Sequence, residues 1–587
     1  YYTVYPDANV IARHAVYKNG TADVVRLHRA YSFSMGLPTG AYDMTSFYGA
    51  WARERTPERM PLRHGVSSVD SKRTSSSHVL NPFIMLSTPD ATETTGDVWG
   101  FSLVYSSSYV LKAEVTTSGE IQVTGGINDF DFSWKLDAGE SLATPEVVIA
   151  YSAEGFGAMS RAYHDAYRDH LMNPRFAKVP RPLLINNWEA TYFHFTNEKL
   201  MALVDAVADT GIDTFVLDDG WFGKREDDRT GLGDWVVNEK KLKGGLSVLI
   251  DYVHKKGMKF GLWFEPEMVS EDSDLYRAHP DYAIAVPGRA HALSRHQLVL
   301  DITRADVRDY IVGAVGKILD ENRIEYVKWD CNRNVTQAYS KDLPADRQSE
   351  FAHRYALGLY DICERIVNGH PDVFFEGCSG GGMRFDPAMR YYFSQIWTSD
   401  DTDANERVTI QYGTSFVYPP AAMSAHVSAC PNHQAHRTTP FATRADIAHL
   451  GPTGYELDAT KLSAEELAAV RAQVEEYRGG MADLVLYGDL YRLDDPFASN
   501  YNGFLLVSKD KTHAVFTAYR RLEIPTPEAK RFRLQGLDPD TRYTVREFGG
   551  RVLSGRTLMN VGLVPNFGEG DFRTFKYHIS ATPSGNS

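Results

Sequence analysis

Thr214-Phe215-Val216-Leu217-Asp218-Asp219-Gly220-Trp221 is a short apolar run that ends in two carboxylates, a glycine and an indole. The same form returns along the middle of the chain. Leu183–Trp188, Lys259–Glu265, Tyr326–Asp330, Val373–Cys378 and Phe393–Ser399 are each a few apolar residues closing on an acid, a tryptophan or a glycine-rich turn. Such runs are too short for helices and read as buried strands. Between them lie helical patterns: Leu200, Leu203, Val204 and Val207 fall at i, i+3, i+4, i+7, and so do Leu246, Leu249, Ile250 and Val253. Gly211 and Gly257 stand where those helices should stop. Thr303-Arg304-Ala305-Asp306 reads as a capping box opening a helix with Val307, Ile311, Ala314 and Ile318 on one face. Ser463-Ala464-Glu465-Glu466 reads as another. Alternating strand and helix implies a parallel sheet with helical crossovers. Six clear units, with two fainter strands near Met423–Ser428 and Thr453–Leu457, fit a closed (β/α)8 TIM barrel, an α/β fold. An open doubly wound sheet is the alternative. It would want a glycine-rich turn after its first strand, and Asn186-Asn187-Trp188-Glu189 is not one.

Outside this stretch the pattern is all-β. Val24–His28 and Trp99–Tyr105 alternate or run apolar between Gly, Ser and Asp turns, predicting an N-terminal β-sandwich. Phe504–Ser508, Ala514–Tyr519 and Tyr543–Glu547 predict a small C-terminal antiparallel β-domain. The expected division is residues 1–152 for the sandwich, 153–179 for a helical linker, 180–482 for the barrel and 483–587 for the C-terminal domain, with a disordered tail at Pro583–Ser587. The formal net charge of −14 argues against nucleic acid and anionic membranes as partners. No apolar run approaches the roughly 20 residues of a membrane span. The four cysteines, Cys331, Cys363, Cys378 and Cys430, show neither metal nor redox spacing. So few in so long a chain fit a reducing, cytoplasmic setting.

In a barrel the chemistry sits at the carboxyl ends of the strands. One acid there is commonly a helix cap. Six successive strand ends carrying acids, tryptophans or glycines are poorly explained as caps, because like charges converging on one mouth cost stability. Carboxylates with tryptophans suit glycoside chemistry, where one carboxyl protonates the leaving oxygen and another stabilises or traps the sugar carbon. The strand ends hold no histidine, which counts against a metal site, and no cofactor is expected. Gly377-Cys378-Ser379-Gly380-Gly381 only loosely resembles a nucleophile elbow for Ser379.

Five motifs in order, Leu217–Gly223, Gly261–Met268, Lys328-Trp329-Asp330, Gly377–Gly382 and Trp397–Asp400, strongly resemble the α-galactosidases of glycoside hydrolase family 36. The resemblance implies a retaining exo-α-galactosidase acting on small galactosides such as melibiose and raffinose, with Asp330 as nucleophile and Asp400 as acid/base. It implies further that Asp218 and Asp219 grip the 4- and 6-hydroxyls, Trp263 stacks on the sugar and Arg295 binds a hydroxyl. Cys378, Gly380 and Gly381 would line the side near the 2-hydroxyl, with Trp188 near the leaving group. Lys328, two residues before Asp330, points the same way along the strand and is expected to hold the nucleophile ionised and to bind a sugar hydroxyl. Asp401 and Asp403 are expected to raise the pKa of Asp400 by like-charge repulsion. Trp51-Ala52-Arg53-Glu54-Arg55 also resembles a family segment. The chain departs from the family at Cys331, where Met is frequent, at Asp401, where Asn is common, and at its N-terminus. Family members usually carry more sandwich there, so a truncated chain is expected. A homo-oligomer, a tetramer, is implied by resemblance alone. An α-N-acetylgalactosaminidase, for which Cys378 leaves little room at the 2-position, and an α-galactosyltransferase are rivals on the same fold. A non-catalytic sugar-binding protein is the rival from another class, and the presence of both carboxylates speaks against it.

Overall fold

The structure, a computed structural model, describes residues 1–582. The expectation for Pro583–Ser587 lies outside the described residues. Eight parallel strands close into a barrel: β1 (Leu184–Asn186), β2 (Thr214–Leu217), β3 (Lys259–Phe264), β4 (Tyr326–Trp329), β5 (Phe374–Gly377), β6 (Gln395–Trp397), β7 (Met423–Ser428) and β8 (Thr453–Glu456). The last strand pairs with the first, Leu184 opposite Gly454, which rules out the open doubly wound sheet. The two faint strands, β7 and β8, are formed where the sequence places them.

The barrel interior is layered by the two-residue period of its strands. Leu184, Val216, Tyr326 and Phe374 pack together at the bottom. Two residues further along each strand the layer turns polar. Asn186, Asp218 and Lys328 join through hydrogen bonds of 2.6 and 2.8 Å, and Gln395 donates to Glu376 at 2.7 Å. A further step reaches the mouth. Burying so many charges pairwise is costly unless each is matched, so the polar layer marks the floor of a site rather than a stabilising core.

The crossover helices form as their apolar spacing predicts, among them Asn197–Val207 and Leu246–Lys255. Ser463 caps Ala464–Glu476 through a true capping box. The expected box at Thr303 is not formed. Arg304 is the N-cap of Ala305–Glu321 without a side-chain cap, because the Thr303 hydroxyl bonds Asp301 at 2.5 Å instead.

The N-terminal region is a seven-stranded antiparallel sheet packed on a three-stranded one, with Phe33 of one stacked on Phe101 of the other at 5.5 Å. A helix, Gly155–Ala166, continued by a π turn, Tyr167–Leu171, leads to the barrel. A six-stranded antiparallel sheet follows the barrel. Among the described residues no helix is long and apolar enough to cross a membrane.

Candidate active site

A cavity of about 710 Å³ opens at the carboxyl ends of the barrel strands. Asp218, Asp219, Trp263, Arg295, Lys328, Asp330, Cys378, Gly380, Asp400 and Trp188 all line it. Gly381 does not. A Cβ there would lie 2.5 Å from the Asp400 backbone nitrogen, so this glycine leaves room for the Ser399–Asp400 turn.

Asp330 follows β4 and is buried. Its Oδ1 accepts the backbone N–H of Cys331 at 2.8 Å and of Gly380 at 3.1 Å. Its Oδ2 accepts from Asn332 Nδ2 at 2.7 Å and the Trp263 indole at 3.3 Å. Burial works to raise its pKa. The charges of Lys328 and Arg295, with these hydrogen bonds, outweigh burial and hold the carboxyl below its ordinary value. Lys328 acts at a distance: its ammonium pairs with Asp218 at 2.8 Å, not with Asp330.

Asp400 follows β6, and its pKa is raised, first by burial and then by the charge of Asp330. Asp401 and Asp403, expected to do this, are not among the leading causes. Asp403 instead caps the helix Ala404–Thr414 and pairs with Arg437. Asp401 is itself pushed up to about 7 by burial and by Glu406. The two carboxyls lining the cavity are thus driven apart: Lys328, Arg295 and hydrogen bonds hold Asp330 toward the ionised form, while burial and the charge of Asp330 push Asp400 toward the protonated form.

The acids lining the cavity are fixed from behind. Asp219 takes both arms of the fully buried Arg225, at 2.9 and 2.8 Å. Glu265, at the end of β3, is pushed up to about 7 by burial and by Asp330. Asn332 joins the two acids, its Nδ2 donating to Glu265 at 3.0 Å as well as to Asp330. Arg295 sits in left-handed backbone (φ 51°), within electrostatic reach of Glu265, Asp330, Asp219 and Asp400.

The wall nearest Asp400 comes from outside the barrel. A hairpin of the N-terminal sheet, Asp43–Ala50 and Arg53–Pro61, carries Trp51 at its tip. The Trp51 indole donates to Asp400 Oδ2 at 2.8 Å. Behind it Glu54 and Arg55 are buried against the barrel. Glu54 accepts from the Ser399 hydroxyl at 2.5 Å, and Arg55 donates to Thr398 O, also at 2.5 Å. Trp51–Arg55 is singled out by its resemblance to a family segment, but nothing in its spacing says that it reaches the acid. Arg225, Glu265, Asn332 and Glu456 are site residues that the sequence reading does not assign. The signal available for Arg225 was its position in the turn after Asp219, and for Glu265 its place at a strand end.

Comparison with known proteins agrees with this geometry. The melibiase family model matches residues 141–488, and models of the family 36 glycosyl hydrolase N-terminal and C-terminal domains match 1–137 and 502–579. The chain is 47% identical to α-galactosidase AgaA of Geobacillus stearothermophilus, over 99% of its own length and 79% of the relative's. It is 45% identical to α-galactosidase Mel36A of Lactobacillus acidophilus, over 99% and 79%. The crystal structure of AgaA superposes with a TM-score of 0.97 at 47% identity, covering 99% of this chain and 80% of that one. A variant of AgaA has been solved in complex with raffinose and superposes equally well, at 46% identity and with the same coverage. With all three domain models matched in order and the barrel mouth furnished as described, the chain belongs to glycoside hydrolase family 36, the family of the melibiases.

Proposed function

We propose that this retaining exo-α-galactosidase works by double displacement, with Asp330 as the nucleophile and Asp400 as the acid/base. The opposed shifts of the two carboxyls across one cavity support this most directly. In the first step the Asp330 carboxylate attacks the anomeric carbon. The bond to the leaving oxygen breaks, and that oxygen takes the proton of Asp400. A β-linked galactosyl ester of Asp330 results. Its formation removes the negative charge that raised Asp400, so the Asp400 carboxylate is ready to take a proton from water. The water oxygen then attacks the same carbon, the ester breaks, and α-galactose leaves with both carboxyls restored.

Asp218, Asp219, Lys328, Arg295 and Trp263 would hold the galactose ring. Cys378 and Gly380 would lie beside the nucleophile, and Trp188 near the departing sugar. Substrates of the raffinose and melibiose kind fit a pocket closed at its floor and open at its rim. A homo-oligomeric, tetrameric assembly and a cytoplasmic setting are part of the same proposal. They rest on the family resemblance and on the low cysteine content, and a tetramer mass by light scattering is the expected result for assembly. The function is tested by a panel of aryl α-glycosides, with the first-formed anomer followed by NMR. Preferential hydrolysis of the galactoside with α-galactose formed first is expected. Preference for another sugar, or β-galactose formed first, overturns it.

A further inference from the structure

Glu456 closes β8 and lines the same cavity as Asp218, Lys328 and Trp188, yet is only 3% exposed. One of its oxygens is held. Oε2 accepts from His426 Nδ1 at 2.8 Å. The His426 ring is itself wedged in place, its centroid 4.3 Å from that of Trp397 and its edge against Gly454, where a Cβ would come within 2.6 Å of the ring. Gly454 therefore leaves the space that lets a strand-seven histidine reach a strand-eight carboxylate. The second oxygen, Oε1, bonds no protein group among the described residues and is not sealed from solvent. Lys328, a floor cation within electrostatic reach of Glu456, is committed to Asp218 at 2.8 Å. Among the described residues, Glu456 therefore has His426 as its only ion partner. A nearly buried carboxylate with an idle oxygen is costly unless a ligand completes its hydrogen bonds.

We propose that Glu456 is a specificity-determining residue whose free oxygen accepts a hydrogen bond from a hydroxyl of the bound galactose at the pocket floor. This deepens the reading of the cavity given above and rests on it. An anchored carboxylate at a fixed position on the floor is suited to reading one hydroxyl. A site built to bond a hydroxyl discriminates against substrates lacking it more sharply than an apolar wall does.

The test uses the full chain, as wild type, Glu456→Ala and Glu456→Gln, on p-nitrophenyl α-galactoside and its 2-, 3-, 4- and 6-deoxy counterparts. Wild-type turnover of the parent compound, and its loss in Asp330→Ala, check the underlying reading separately. Glu456→Ala should lower kcat/KM on the parent roughly 10- to 100-fold, as for loss of a hydrogen bond to a charged group. Glu456→Gln, keeping a neutral acceptor, should lose less. On one deoxy substrate, and not on the others, the variants should match wild type to within about twofold, because the partner hydroxyl is already gone. A penalty of the same size on every substrate, or none on the parent, overturns the proposal. Should Glu456→Ala not fold, the same pattern across substrates is read from Glu456→Gln.

Discussion

The Trp51 indole donates to Asp400 Oδ2 at 2.8 Å, although Trp51 belongs to the N-terminal sheet and Asp400 to the barrel, 349 positions later. The N–H favours the ionised form of Asp400, against burial and Asp330, which favour the protonated one. The proposed acid/base is therefore tuned by a residue from another domain. Loss of the indole N–H in Trp51→Phe should raise the Asp400 pKa. Because the first step needs Asp400 protonated, the basic limb of the kcat/KM profile should move to higher pH, by about one unit. A pH–rate profile of the variant checks this, and a limb that stays in place or moves down contradicts it.

Asp401→Asn separates the two explanations for the raised pKa of Asp400. Burial and Asp330 lead, so the basic limb should stay where it is in wild type. A downward shift on neutralising Asp401 would restore the like-charge explanation drawn from the sequence.

The hairpin that carries Trp51 is docked through a helix glycine. A Cβ at Gly413 would fall 1.8 Å from the Arg55 carbonyl oxygen, so Gly413→Ala must push the hairpin off the barrel. Unfolding measurements should show a loss of about 1–3 kcal/mol, as for overpacking elsewhere. Activity per folded molecule should fall too, because Trp51 moves with the hairpin. Unchanged stability together with unchanged activity would show that the docking is looser than it looks.

Arg225 is wholly buried against Asp219, so Arg225→Met leaves a carboxylate without its partner. Breaking such a pair costs about 3–5 kcal/mol. Adding Asp219→Asn should recover much of the stability but not the activity, because the proposed function has this carboxylate bind the sugar. Calorimetry and kcat/KM on the same two variants decide the matter. Recovery of activity with stability would make the pair structural only.

The barrel is legible in the sequence because its strands are buried on both faces and so read as apolar runs, with the acids standing out at their ends. Even β7 and β8, the least distinct, lie where the spacing leaves room for them. Partnerships are another matter. Alternation along β4 shows that Lys328 points inward with Asp330. That its ammonium reaches Asp218, on the far side of β3, depends on how the cylinder closes. The reach of Trp51 is equally hidden, since nothing local to the hairpin encodes where a separate domain docks. Thr303 shows the limit of a local motif, its hydroxyl being taken by Asp301, which is two residues upstream.

Asp400→Ala should divide substrates by leaving group. Release of raffinose-type alcohols needs the proton and should slow by roughly 10²–10⁴. Formation of the galactosyl ester from a dinitrophenyl galactoside needs it little, so that step should survive as a burst. Equal losses on both substrates would remove Asp400 from the acid role.

The most direct test is to trap the galactosyl ester with 5-fluoro-α-galactosyl fluoride, digest the protein and locate the label by mass spectrometry. The added mass is expected on the peptide containing Asp330, with no label taken up by Asp330→Ala. A label on Asp400 or Glu265, or hydrolysis with no trappable ester and β-galactose as first product, would contradict it.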